Sequence, residues 1–119
     1  MNLKVVRIAD RGVPGKERLH LSVEADADLV YYVVFATEYQ GLNISQIVKH
    51  VLWFKSYKVK AGDNVVLATG SGANSTSRRA DGGTDHFFYW GQPQVLFAAP
   101  LACAVVVEIQ NWATTSPGQ

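Results

Sequence analysis

The 119-residue sequence predicts a single all-β domain, an antiparallel β-sandwich of seven or eight strands. Three observations lead to this fold class. Apolar, β-branched runs recur at short intervals with turn residues between them, which is typical of sandwiches and barrels. One segment alternates strictly between apolar and polar residues, and helical periodicity is hard to find. A chain of this length also buries enough surface to form one core without stabilisation by a metal ion or a disulfide bond.

The clearest strand prediction covers residues 17–24. Leu19, Leu21 and Val23 fall on one face of this strand, and the residues between them are polar. Such alternation predicts one face toward the core and one toward water. Residues 29–35 are apolar on both faces, which indicates a central strand that is covered on both sides.

The remaining strands are predicted from β-branched and aromatic content. They cover residues 3–8, 48–54, 64–69, 86–90, 95–97 and 102–112.

Two long polar segments are predicted to be loops, over residues 37–46 and 70–85. The second contains four glycines and almost no apolar side chain. Connections of this length are uncommon in compact domains and are usually functional or mobile. The polar tail is predicted to be loose, so the sandwich is assigned to residues 1–113 and the tail to residues 114–119.

The charge of the chain is low and nearly balanced. Charged residues make up 18% of the sequence, and 11 basic and 10 acidic residues give a net charge of +1. Without a basic field, neither nucleic acid nor a membrane surface is expected as a partner. Low charge favours either a large core or apolar surface that meets a partner, and it gives little protection against self-association. A homo-oligomer is therefore an open alternative.

The sequence carries no signal for export or membrane insertion. Residues 1–8 are too short and too interrupted for a signal peptide, and no run approaches the roughly 20 apolar residues of a membrane span. Cys103 is the single cysteine, which excludes an intrachain disulfide, and its apolar surroundings predict a small buried side chain. The expected location is the cytoplasm by default.

No catalytic, metal or nucleotide motif is present. His20, His50 and His86 lie far apart, without the spacing of metal ligands, so neither a metal nor another cofactor is predicted. The glycine-rich segment lacks both a nucleophile elbow and a phosphate-binding loop ending. The chain is therefore expected not to be an enzyme. Arg78 and Arg79 could hold a phosphate or a carboxylate, and the alternative is a solvated loop.

Aromatic residues are concentrated in the predicted strand at residues 86–90. Phe87 and Tyr89 face one way, and the three other side chains face the other way, so both faces are aromatic. One set is expected to pack inside, and the other to be covered by a loop, a second subunit or a ligand. The candidate ligand-binding or partner-binding residues are Arg78, Arg79, His86, Phe88, Trp90 and Trp53.

Four segments in order carry a resemblance to a known family. A strand at residues 17–21 follows an opening Val/Ile strand, and the turn at residues 59–63 leads into an apolar strand at residues 65–67. A Tyr-Trp strand at residues 89–90 and a closing apolar strand at residues 104–109 follow. This order resembles that of lamin-tail-like domains, and the resemblance implies an immunoglobulin-like sandwich that acts as a non-catalytic interaction module.

The sequence departs from that family before the last strand. Such domains often have a Trp-Asn and a Gly-Asp pair there, where this chain has Leu96-Phe97 and Leu101-Ala102. Because of this departure, the resemblance supports the fold but does not indicate a ligand.

Two functions follow from these observations. The first is a non-enzymatic binding or assembly module that acts through protein–protein contacts or self-association. The alternative is a small-ligand domain for a carbohydrate or an anion. In that case exposed aromatic residues stack on sugar rings, and Arg78 and Arg79 engage an acidic group.

Overall fold

A computed structural model describes residues 1–118 and confirms the all-β fold class, with 46% strand and 3% helix. Three of its strands have only two residues each. The strands over the described residues are β1 (Leu3–Ala9), β2 (Arg18–Val23), β3 (Ala27–Asp28), β4 (Tyr32–Gln40), β5 (Asn43–Ile44), β6 (His50–Trp53), β7 (Lys58–Val59), β8 (Asn64–Ala68), β9 (Ser75–Arg78), β10 (Thr84–Tyr89) and β11 (Ala102–Glu108).

The strands form two main sheets and one short ribbon. The first sheet has the order β1-β2-β8-β10-β9. In the second, β4 pairs with β11 on one side and with β5 and β6 on the other. Strands β3 and β7 form the ribbon.

One strand pair departs from the predicted antiparallel arrangement. Strands β8 and β10 are parallel, whereas the other pairs are antiparallel. After β8 the chain first forms the edge strand β9, and it then turns back so that β10 lies between β9 and β8. Because β9 is antiparallel to β10, this insertion makes β10 run in the same direction as β8.

Both predicted long loops contain strands, so those two predictions are wrong. Strand β4 continues to Gln40 and turns at Gly41, whose φ of 64° suits a glycine, into the short return strand β5. In the glycine-rich segment, residues 75–78 form β9, with four exposed polar side chains. Strand β9 was hard to predict because neither of its faces packs against the core, so its side chains do not alternate between apolar and polar.

Two predicted strands are also corrected. Residues 29–31 form a 3₁₀ turn, because the Asp28 carboxylate accepts a hydrogen bond from the Val30 amide at 3.0 Å. Residues 95–97 form no strand, because the Leu96 and Phe97 amides donate to a side chain instead of to a neighbouring strand.

The core lies between the two main sheets. The alternation predicted for β2 is confirmed, since Leu19, Leu21 and Val23 are buried and the intervening side chains are partly exposed. The same buried cluster includes Val34 from β4 and Val106 from β11, so the sheets pack face to face. This arrangement is compatible with a β-sandwich.

A buried carboxylate joins three distant segments at one end of the core. Glu17 is 2% exposed, and its oxygens accept hydrogen bonds from the Gly12 amide at 2.8 Å and the Thr69 hydroxyl at 3.0 Å. They also accept from the amides of Leu96 at 2.8 Å and Phe97 at 3.2 Å. Four donors satisfy the charge, so removing the carboxylate leaves buried donors without partners.

We expect Glu17→Gln to lower the free energy of unfolding by about 3 kcal/mol, because the NH₂ group of glutamine would face N–H donors. Guanidinium unfolding measures the difference. Glu24→Gln is the control, because Glu24 is an exposed carboxylate that accepts from Ser22, and it should cost less than about 0.5 kcal/mol. Equal effects of the two substitutions would contradict the role of Glu17.

Candidate functional site

A hydrogen-bonded chain of three side chains connects His86 of the aromatic strand β10 to Asp63, next to β8, and to Tyr57, next to β7. His86 is 8% exposed, and its Nε2 lies 2.8 Å from an Asp63 carboxylate oxygen. Its Nδ1 lies 2.9 Å from the Tyr57 hydroxyl oxygen. The carboxylate favours the tautomer with the proton on Nε2, so Nδ1 accepts the hydrogen bond from Tyr57. The chain thereby fixes the ring of Tyr57 relative to β10.

Asp63 is held in its charged form by several donors. Burial alone would raise the pKa of Asp63, but hydrogen bonds from His86 and from the Lys60 and Thr84 amides hold that pKa below its usual value of 3.8. The side chain of Asp63 is thus tied to Lys60 within its own turn and to Thr84 and His86 of β10.

The two predicted anion-binding arginines do not act together. Arg79 donates to Asp85 at 2.5 Å and to Asp81 at 3.2 Å, and it also contacts the Gly62 carbonyl. The hydrogen bond to Asp85 is the main cause that raises the pKa of Arg79. Arg78 lies exposed on β9. The positive charge of the Arg79 guanidinium is therefore already balanced by Asp81 and Asp85 within the fold.

The aromatic strand divides between core and surface. His86, Phe88 and Trp90 face inward, and Phe88 and Trp90 pack against the core. Phe87 and Tyr89 face the other way. Of the predicted site residues, the structure brings together Phe88 and Trp53, which line one groove, while His86 lies behind that groove.

This groove lies between the edge strand β6 of the second sheet and the end of β10, beyond the residues of β10 that pair with β9. Its volume is about 390 Å³, and a smaller cavity of about 200 Å³ adjoins it. Tyr57, Asn74 and Phe88 line both cavities. The composition of β10 predicted aromatic surface here, but Asn74 was not among the predicted binding residues.

The outer face of the second sheet is apolar. Side chains alternate between two sides along β6, β4 and β11. The core residues Val34 and Val106 lie on one side, and the side chains on the opposite side point outward. We call this surface the apolar face, and it consists of Val33, Phe35, Val51, Trp53, Cys103, Val105 and Val107.

The apolar face is only partly exposed. Val51 is 55% exposed and Trp53 is 48% exposed, whereas Val33 is buried at 9%. Cys103 is half-buried rather than buried as predicted, because it lies on the outer side of edge strand β11. Partial burial raises the pKa of its thiol.

Aromatic side chains border one end of the apolar face. The Trp112 ring centroid lies 5.0 Å from that of Trp53 and 6.0 Å from that of Tyr31. The Trp53 indole also donates to the Val30 carbonyl at 2.7 Å. At the other end, the buried Thr37 hydroxyl donates to carbonyls of residues 45 and 47, so that segment covers Thr37.

The outer face of the first sheet is of opposite character. Its outward positions on β1, β2 and β10 include Lys4, Arg7, Arg18 and Asp85. His20 lies among them, and partial burial, followed by the charges of Arg7 and Arg18, lowers its pKa. One outer face is therefore charged and the other is not.

Comparisons with protein-family models, with curated proteins and with solved structures found no match. Within residues 1–118, no group of three or more His, Cys, Asp or Glu side chains is arranged to hold a metal ion. Over the same residues, no helix has the length and apolar character needed to cross a membrane.

We expect Asp63→Asn to destabilise the protein by about 2 kcal/mol at neutral pH, because the hydrogen bonds to a charged carboxylate are lost. Since the folded-state pKa of Asp63 is lowered, its contribution is present above pH 3.8 and is lost as the pH falls through the folded value. The difference from the unmodified protein should therefore shrink below pH 3.8. Urea unfolding across this pH range measures it.

The control is Asp10→Asn, because Asp10 forms an exposed ion pair with Arg18 at 3.2 Å. It should change stability by less than about 1 kcal/mol at any pH. A loss for Asp63→Asn that stays constant from neutral to acid pH would refute the assigned role of the carboxylate.

Proposed function

We propose that this chain is a non-enzymatic assembly module that self-associates through the apolar face. The observation that carries the proposal is the contrast between the two outer sheet faces, since the outward positions of β6, β4 and β11 that form the apolar face hold no charged residue. An exposed apolar sheet face of this kind is typical of an interaction site.

A second copy of the chain is the partner that fits this surface. The apolar face is built from paired strands, so its shape suits another sheet. Two identical faces without charge do not repel each other, and a net charge of +1 per chain adds little long-range repulsion. A two-fold axis would place the same residues opposite each other.

The size of the surface indicates how far the interface must extend. The apolar face spans three strands over at most five residues of each, which gives about 17 Å by 14 Å, or roughly 240 Å² in projection. A stable interface buries about 800 Å² on each partner. The interface therefore has to include the border residues, namely Tyr31 and Trp112 at one end and Ile47 at the other.

We also propose that the sandwich is immunoglobulin-like. An immunoglobulin-like sandwich related to lamin-tail-like domains would act through its surfaces rather than through a catalytic centre, which is consistent with an assembly role. The parallel pair of β8 and β10 is the feature that such an assignment must accommodate.

We expect Val51→Lys to prevent self-association, because a lysine at this position would be buried in the interface without a partner. The unmodified chain should approach twice its mass of 13.0 kDa with rising concentration in sedimentation equilibrium. The dissociation constant of the variant should be at least about tenfold weaker.

Val6→Lys is the matched control, because Val6 is 49% exposed on the edge strand of the other sheet. It should associate as the unmodified chain does, and circular dichroism should show all three proteins folded. A chain that stays monomeric at every concentration, or equal effects of both lysines, would rule out the proposal.

A further inference from the structure

The groove between the two sheets presents the interior aromatic residues of the domain to solvent. The edges of the sheets are not joined on this side, so side chains from β6, β10 and the segment after β6 remain accessible between them. The residues that line the larger cavity are Leu52, Trp53, Phe54, Lys55, Ser56, Tyr57, Asn74, Phe88 and Tyr89.

The chemistry of this lining favours a neutral ligand that combines apolar faces with hydroxyl groups. Five of the nine residues that line the larger cavity are aromatic, and Lys55 is the one charged residue among them. The adjoining cavity adds the neutral side chains of Ser75 and Thr76. A pyranose ring has this character, because its C–H faces pack on aromatic rings and its hydroxyls bond to amides and hydroxyls.

The main chain of Tyr57 is fixed in the wall of the groove. The Tyr57 carbonyl accepts from the Leu29 amide at 2.9 Å, and the Tyr57 amide donates to Asp28 at 3.0 Å.

The groove is held in shape before any ligand binds. The ring of Phe88 makes edge contacts with Phe54 at 5.4 Å and with Tyr57 at 5.1 Å between centroids. The chain from Asp63 through His86 fixes Tyr57 from behind. A rigid wall lowers the entropic cost of binding.

Close packing also fixes the position of Asn74. A Cβ atom on Gly72 would overlap the ring of Tyr89, so the backbone of this segment lies directly against that ring. The Gly70 carbonyl accepts from the Gly91 amide at 2.9 Å. The segment is thereby tied to the end of β10, and its Asn74 is presented to both cavities.

We propose that this groove binds a neutral saccharide chain. One sugar ring lies against Tyr57 and Phe88, which form the aromatic wall, and its hydroxyls bond to Asn74. The two adjoining cavities accommodate successive sugar units, so an oligosaccharide binds more tightly than a single sugar. This site is separate from the self-association proposed above, although Trp53 borders both surfaces.

The test is calorimetric titration of the full chain with cellohexaose, mannohexaose, maltohexaose, xylohexaose and chitohexaose. At least one should bind saturably, with a dissociation constant between about 10 μM and 1 mM. Asn74→Ala should weaken binding by about fivefold through a lost hydrogen bond. Asn74 is exposed, so the fold should tolerate the substitution.

Two variants serve as controls. Tyr39→Ala removes an exposed aromatic residue outside the groove and should leave saccharide binding unchanged. Val51→Lys disrupts the apolar face and should also bind as the unmodified chain does, which separates failure of this site from failure of self-association. Absence of saturable binding by all five hexasaccharides, or binding that Asn74→Ala leaves intact, would overturn the inference.

Discussion

The carboxylate of Glu17 is the constraint on which the arrangement of the sheets depends. It receives hydrogen bonds from the turn before β2, from the residue after β8 and from the segment before β11. Arg11 reinforces the same junction, since it donates to the carbonyls of Phe97 at 3.3 Å and Ala102 at 2.8 Å. A buried charge tolerates few alternative arrangements, because every lost donor raises the cost of its burial. These contacts therefore set where β11 enters the second sheet.

The proposed surfaces both follow from how the second sheet is positioned. With β11 and β6 on either side of β4, the core-facing residues turn toward the first sheet and the apolar face turns outward. Because β6 is an edge strand and β9 pairs with residues 84–87 of β10, the space between β6 and the end of β10 stays open as the groove. Asp63 and His86 hold the far wall of that groove through Tyr57. Hydrogen-bonded carboxylates thus hold the framework, and uncharged surface remains for binding.

Local patterns predicted the strands that have one face in the core. Alternation in β2 and the β-branched runs of β8 and β11 are properties of neighbouring residues, and the structure confirms these strands. The polar strand β9 was missed because its side chains are exposed on both sides, so no alternation marks it. Arg79 was predicted as a ligand-binding residue, yet Asp81 and Asp85 engage it, and a sequence does not show such pairings in advance.

The sequence by itself determined the all-β fold class and the two-sided aromatic character of β10, because strand periodicity and side-chain type are local. It also determined a low and nearly balanced charge, which left open either a large core or apolar surface that meets a partner. Only the tertiary structure decided which sheet face stays uncovered, where Asn74 meets the aromatic wall and that Glu17 is buried. These outcomes depend on strand order and register, which join residues as far apart as 17 and 97 through contacts that no local pattern encodes.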